Sequence, residues 1–281
     1  SNFAMIRIYI ILSLLLPGIL FGQTTQKPLV EASNGMVVTT HPDASKIGLD
    51  ILKKGGNAID AAVAVNFALA VCHPAAGNIG GGGFLVYRTA KGKAYTLDYR
   101  EMAPLAGSRD MYLDSTGQVI PGKSFVGIHS VGVPGSVAGM VAMHKRLGKL
   151  TWEELVQPAV DLARQGVVLT GKEARGLNRN RADFMKYNPG RAYLVKADST
   201  QWAEGELFIQ SDLANTLERI LKYKSKGFYQ GETADLIVEE MKRQGGIITH
   251  RDLKSYKAIW RKPLISQYKQ YSIIGMPPPS S

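Results

Sequence analysis

The chain has 281 residues, with 34 Lys and Arg against 23 Asp and Glu, giving a formal net charge of +11. Hydrophobic residues make up 45% and charged residues 20%, which excludes a wholly disordered, collagenous or coiled-coil chain. The length suits one large domain or two small ones, and the single cysteine, Cys72, excludes an internal disulfide and a cysteine-based zinc cluster.

Ser1–Ala4 read as an extension ahead of Met5. From Met5 the chain carries a positive Arg7, an apolar run from Ile8 to Phe21 broken by Pro17-Gly18, and a small Gly22. This is the layout of a secretory signal peptide over residues 5–22. The run is shorter than the roughly 20 residues a spanning helix needs. The expectation is an exported protein, periplasmic or secreted, without a stable membrane anchor. No cysteine follows the run, which argues against a lipid anchor.

Met36–Thr40 is a short β-branched run and predicts a strand. His41-Pro42-Asp43 opens a helix that stops at Lys53-Lys54-Gly55-Gly56, a basic last turn followed by glycine. Asn57 caps a second helix whose alanines suggest close packing, and Cys72 sits in it as a small buried hydrophobe. GFLVYRT and Ala94–Asp98 predict two strands about a Lys91-Gly92 turn. Gly132–Leu147 and Thr151–Arg164 predict helices, the second kinked or restarted at Pro158. Leu169–Tyr187 predicts a helix and a surface loop, and Ser211–Lys222 and Thr233–Arg243 two amphipathic helices. Thr249–Tyr256 predicts a short helix opened by a Thr249/Asp252 capping box. Leu264–Met276 predicts a hairpin about Tyr268-Lys269-Gln270. Helices mixed with a strand hairpin predict an α+β fold.

Several motifs carry little. Gly117–Ser124, GQVIPGKS, fits a phosphate-loop pattern, but Pro121 lacks an N–H and the residues that follow are too rich in Gly and Val for an immediate helix. It reads as a surface loop. His129-Ser130-Val131-Gly132 misses the nucleophile elbow because Ile128 stands where the first glycine should be. His41, His73, His144 and His250 lack metal-ligand spacing and read as structural. The basic residues lack interleaved aromatics, so no nucleic-acid partner is expected. No metal or organic cofactor is implied.

Asn78–Pro104 is the informative stretch. Gly80–Gly83 permit positive φ angles and close backbone approach, or simply a bend before a strand. Arg100 stands at the end of the returning strand between Asp98, Tyr99 and Glu101. Its guanidinium can grip a carboxylate bidentately or pair with Asp98 or Glu101. Spacing alone leaves both open.

The sequence resembles the γ-glutamyltranspeptidases. The likeness rests on GMVVTTHPDAS (35–45), ILKKGGNAIDAAVA (51–64), NIGGGGF (78–84), LDYREMAP (97–104), GVPGSVAG (132–139), QPAVDLARQG (157–166), GGIITHRDLKSY (245–256) and MPPPSS (276–281) in that order. The resemblance implies an N-terminal-nucleophile hydrolase, an αββα sandwich whose precursor cleaves itself into a large and a small subunit. The small subunit's new N-terminal Thr is the nucleophile, with its own amine able to act as base. It attacks γ-glutamyl amides such as glutathione, and water or an acceptor amino acid or peptide resolves the acyl-enzyme. The resemblance gives Arg100, in the REMAP motif, the α-carboxylate of the γ-glutamyl group. Residues 27–281 are then the N-terminal part of a large subunit, the sandwich is truncated, and the nucleophile lies beyond Ser281. Thr39-Thr40-His41 has the look of a processing junction but stands inside a large-subunit motif. The chain is expected to be inactive without the remaining part. The alternatives are a related amide hydrolase, such as an acylase, and a catalytically silent binding or scaffold protein.

Overall fold

The computed structural model describes residues 30–188, 193–198 and 200–280. The signal segment expected over 5–22 lies outside them. Residues up to Gly35 form a separate unit, whose described part carries no helix or strand, and Met36 onward is one compact unit.

The strand expected over Met36–Thr40 is absent. Val38 is 81% exposed, so its β-branched side chain has no partner surface. The backbone instead turns into α1 (Pro42–Lys53), with the Thr39 hydroxyl donating to the His41 carbonyl at 2.7 Å. α2 (Ala58–Cys72) starts at a capping box in which Asn57 and Asp60 satisfy each other's backbone N–H groups. Val63, Ala64, Phe67, Ala68 and Val71 are fully buried along it. The alanines let α1 and α4 (Trp152–Gln165) come close, and α4 packs in turn on α7 (Ser211–Tyr223). Phe67 meets the Trp152 ring edge-on at 5.7 Å, and the Trp152 indole N–H donates to the Ile220 carbonyl at 3.1 Å. Together these helices form the main core.

α4 runs through Pro158 as one element rather than restarting. Its buried face of Leu155, Val156, Ala159, Val160 and Ala163 and its Thr151/Glu154 capping box outweigh one missing hydrogen bond. The stretch Leu169–Tyr187 divides into α5 (Gly171–Arg179) and α6 (Arg181–Tyr187). Thr170 caps the first, and the Asn180 amide bonds back to the Gly176 carbonyl at the break.

β1 (Phe84–Arg88) and β2 (Ala94–Asp98) form the expected antiparallel pair, with Phe84 opposite Asp98. A third strand, β5 (Ile259–Arg261), pairs with the far edge of β2 and sets Thr96 opposite Arg261. Between them in sequence lie α3 (Ser136–Leu147), the two-residue pair β3 (Val167–Val168) and β4 (Leu207–Phe208), α8 (Lys226–Tyr229), α9 (Glu232–Gln244) and α10 (His250–Ser255). α10 opens at the expected Thr249/Asp252 capping box. β6 (Leu264–Tyr268) and β7 (Tyr271–Gly275) form the expected hairpin, pairing, among the described residues, only with each other. The fold is mixed helix and sheet.

Candidate functional site

The site begins where β2 ends. Asp98 closes the strand, Tyr99 turns into the core, and Arg100 emerges at the surface. Both backbone polar groups of Arg100 are held by side chains. Its N–H donates to Asp98 Oδ1 at 3.0 Å, and its carbonyl accepts from the Tyr256 hydroxyl at 2.7 Å. Asp98, only 7% exposed, uses its other oxygen for Arg261: Nε donates to Oδ2 at 2.8 Å and Nη2 at 2.7 Å. The register of β2 against β5 makes this contact available, and the Thr96 hydroxyl adds a bond to the Arg261 carbonyl at 2.8 Å.

Glycines let other segments close around this turn. A Cβ on Gly82 would lie 2.5 Å from the Tyr99 carbonyl oxygen and 2.8 Å from Arg100 Cα. One on Gly135 would lie 2.0 Å from the same oxygen and 2.1 Å from the Tyr256 hydroxyl. Gly81 holds the start of α3 by accepting from the N–H groups of Gly135 and Ser136 at 2.7 and 2.9 Å. None of Gly80–Gly83 takes a positive φ. The run serves close approach, not a left-handed bend.

The Arg100 guanidinium is exposed, and its Nη1 donates to the Pro279 carbonyl at 2.9 Å. Among the described residues it makes no ion pair. Of the two acids that spacing offered it, Asp98 is taken by Arg261, and Glu101 is exposed without an ion-pair contact to it. The guanidinium lies on a cleft of about 290 Å³ whose lining includes Asp98, Arg100, Tyr256, Lys257, Arg261 and Pro279. Counting Glu101, this lining carries three cations against two acids. An anionic group is the complement of such a cleft.

Tyr256 follows α10 and stacks on Tyr229, ring centroids 5.8 Å apart. Burial first, then the charges of Asp98 and Glu101, push its phenol well above the ordinary value, so it stays a donor at physiological pH. Tyr229 is itself fixed: its hydroxyl donates to the Pro134 carbonyl at 2.9 Å and accepts from the Ala138 N–H at 3.2 Å. One further acid supports the neighbourhood. Asp252 accepts from the N–H of Leu105 at 2.6 Å and from the N–H and hydroxyl of Thr249 at 2.8 and 2.5 Å.

The remaining sequence candidates stand apart. Gly117–Ser124 forms turns, followed by a short 3₁₀ turn over Ile128–Ser130 rather than an α-helix. The Ser130 hydroxyl donates to the Gly127 carbonyl at 2.7 Å. His144 reaches the Leu150 carbonyl, and His250 pairs with Asp235 at 2.8 Å. Burial pushes the Cys72 thiol up to about 12, as for a hydrophobe. Among the described residues no cluster of three His, Cys, Asp or Glu could hold a metal ion.

Sequence reasoning weighed Asp98 only as a partner for the Arg100 guanidinium and missed Arg261 and Tyr256. Three residues of β5 give no alternation to read, and both contacts span more than 150 residues.

The γ-glutamyltranspeptidase family model matches residues 44–281. The chain belongs to the γ-glutamyltranspeptidase family. It is 48% identical over 254 residues to a glutathione hydrolase proenzyme of Pseudomonas sp. strain A14, covering 90% of this chain and 44% of that relative. It superposes on the crystal structure of the Helicobacter pylori γ-glutamyltranspeptidase with a TM-score of 0.87 and 49% identity, covering 90% of this chain and 72% of that one. It is also 38% identical over 264 residues to the acylase ACY 1 proenzyme of Pseudomonas sp. strain V22, covering 92% of this chain and 47% of the relative. The chain thus spans less than half the length of the two proenzymes.

Proposed function

We propose that this chain supplies the carboxylate-binding arm of an enzyme that transfers the γ-glutamyl group of glutathione and related amides to water or to an acceptor amino acid or peptide. The observation that carries this reading is Arg100, whose backbone is fixed on both sides and whose guanidinium lies unpaired on a net positive cleft. A guanidinium presents five N–H donors in a planar fork that matches a carboxylate. One of them meets the Pro279 carbonyl, which leaves a donor pair for the substrate's α-carboxylate. Holding that end sets the γ-amide at a fixed reach, and such orientation lowers the barrier to attack.

The nucleophile belongs to the part of the protein beyond residues 27–281, which we read as the N-terminal part of a large subunit. There a Thr hydroxyl would attack the γ-carbonyl and pass its proton to the departing amine. The resulting ester would then be opened by water or an acceptor amine, returning the proton to the Thr oxygen. Arg100 takes no part in the bond changes.

In the full-length protein, Arg100→Ala should raise KM for glutathione by roughly 100-fold, the scale of a lost charge-assisted pair. An unchanged KM overturns the reading. A second reading, hydrolysis of other amides, is favoured by the likeness to an acylase proenzyme. It is distinguished by efficient turnover of an amide lacking the α-carboxylate. Export is the remaining part of the proposal. It is supported by Arg7, the apolar run and Gly22, and N-terminal sequencing of the mature protein should find a start close after Gly22.

A further inference from the structure

We propose that Asp98, Arg261 and Tyr256 act together as positioning residues for Arg100 in substrate-carboxylate recognition. The inference rests on the reading of Arg100 just given and concerns residues argued to act through it.

A surface arginine has four side-chain torsions and loses rotamer freedom whenever it is made to point one way. A clamp therefore gains from a base that cannot shift. Arg100 has such a base. Its N–H is tied to Asp98 and its carbonyl to Tyr256, so the peptides on either side of it are pinned. Asp98 cannot turn away, because Arg261 grips its second oxygen through two donors. Arg261 is set by strand pairing with β2, and Tyr256 by stacking on Tyr229.

The Asp98–Arg261 pair has a second consequence. An unpaired Asp98 would be a negative charge two residues from the guanidinium and would compete with an incoming carboxylate. Paired, it leaves the Arg100 fork without an ion-pair partner among the described residues. The same acid thus fixes the backbone of Arg100 and is kept from capturing its side chain. Removing Arg261 should free Asp98 to pair with Arg100 and block the clamp.

The test uses the full-length, processed protein and two substrates: γ-glutamyl-p-nitroanilide and 4-aminobutyryl-p-nitroanilide, which lacks the α-carboxylate. Arg261→Gln should raise KM for the first by roughly tenfold or more, with kcat nearly unchanged. It should leave kcat/KM for the second unaltered. Arg261→Lys, which keeps a charge on Asp98, should recover part of the loss, and Tyr256→Phe should show a smaller rise of the same kind. Loss of activity equally on both substrates would mark a merely structural role and overturn the proposal. If Arg261→Gln does not fold, the same comparison with Tyr256→Phe and Arg261→Lys decides. Arg100→Ala run in parallel separates the two levels. If it leaves the preference between substrates intact, the clamp reading itself fails. If it abolishes the preference while the Arg261 and Tyr256 variants keep it, the positioning proposal alone fails.

Discussion

Around the cleft, single acidic side chains hold backbone that no helix or strand holds. Asp252 accepts N–H bonds from Leu105 and Thr249. Burial alone would raise its pKa, but those bonds and the Thr249 hydroxyl outweigh it and hold the carboxyl below its ordinary value. A carboxylate with a depressed folded pKa contributes stability above its unfolded pKa of about 3.9, and the contribution is lost as pH falls through the folded value. Asp252→Asn should therefore cost about 1–2 kcal/mol at neutral pH. Urea melts as a function of pH should show the difference shrinking below about pH 4. A difference that persists undiminished in acid would show that the charge is not the cause. Cys72 gives a simpler expectation. Buried and with its thiol raised to about 12, it should react with a thiol reagent only after denaturation. Rapid labelling of the native chain would contradict its placement.

At the scale of elements, the arrangement depends on backbones that meet without side chains between them. Gly135 precedes α3, and a methyl group there would overlap a carbonyl oxygen and a hydroxyl, both fixed. Gly135→Ala should cost about 1–3 kcal/mol by overpacking and displace Tyr256 from the Arg100 carbonyl. A thermal melt of the full-length variant reads the first effect, and unchanged stability would mean that the turn is looser than described. These elements also show what the sequence discloses. The capping boxes at Asn57, Thr151 and Thr249 lie within four residues each and mark helix starts locally. The β1–β2 hairpin and β6–β7 are legible for the same reason. Met36–Thr40 has strand residues but no partner strand among the described residues, and pairing is a tertiary matter. Arg100 stood out as a cation at a strand end, and the family motif gave it a role. Its supports, Arg261 and Tyr256, come from a distant strand and helix end, where neither period nor spacing points to them.

At the scale of the whole molecule, the β6–β7 hairpin is unusual. Leu264, Ile265, Tyr268, Tyr271 and Ile273 are all at least half exposed, and among the described residues the two strands pair only with each other. An isolated two-stranded hairpin is marginal in water and offers apolar surface and open edges. The 281-residue chain made by itself should self-associate through this region, and Ile265→Lys with Ile273→Lys should reduce the association. Light scattering of both versions checks it, and a monodisperse unmodified chain would contradict it. Of the +11 charge, the Arg100 guanidinium on the cleft is the part to which this account gives chemical meaning.

The most direct test of that meaning is a ratio. In the full-length protein, kcat/KM for γ-glutamyl-p-nitroanilide is divided by kcat/KM for the 4-aminobutyryl analogue, before and after Arg100→Ala. The account predicts that the substitution lowers this ratio by roughly 100-fold, with the analogue's own turnover little changed. A ratio that survives the loss of Arg100 would contradict it.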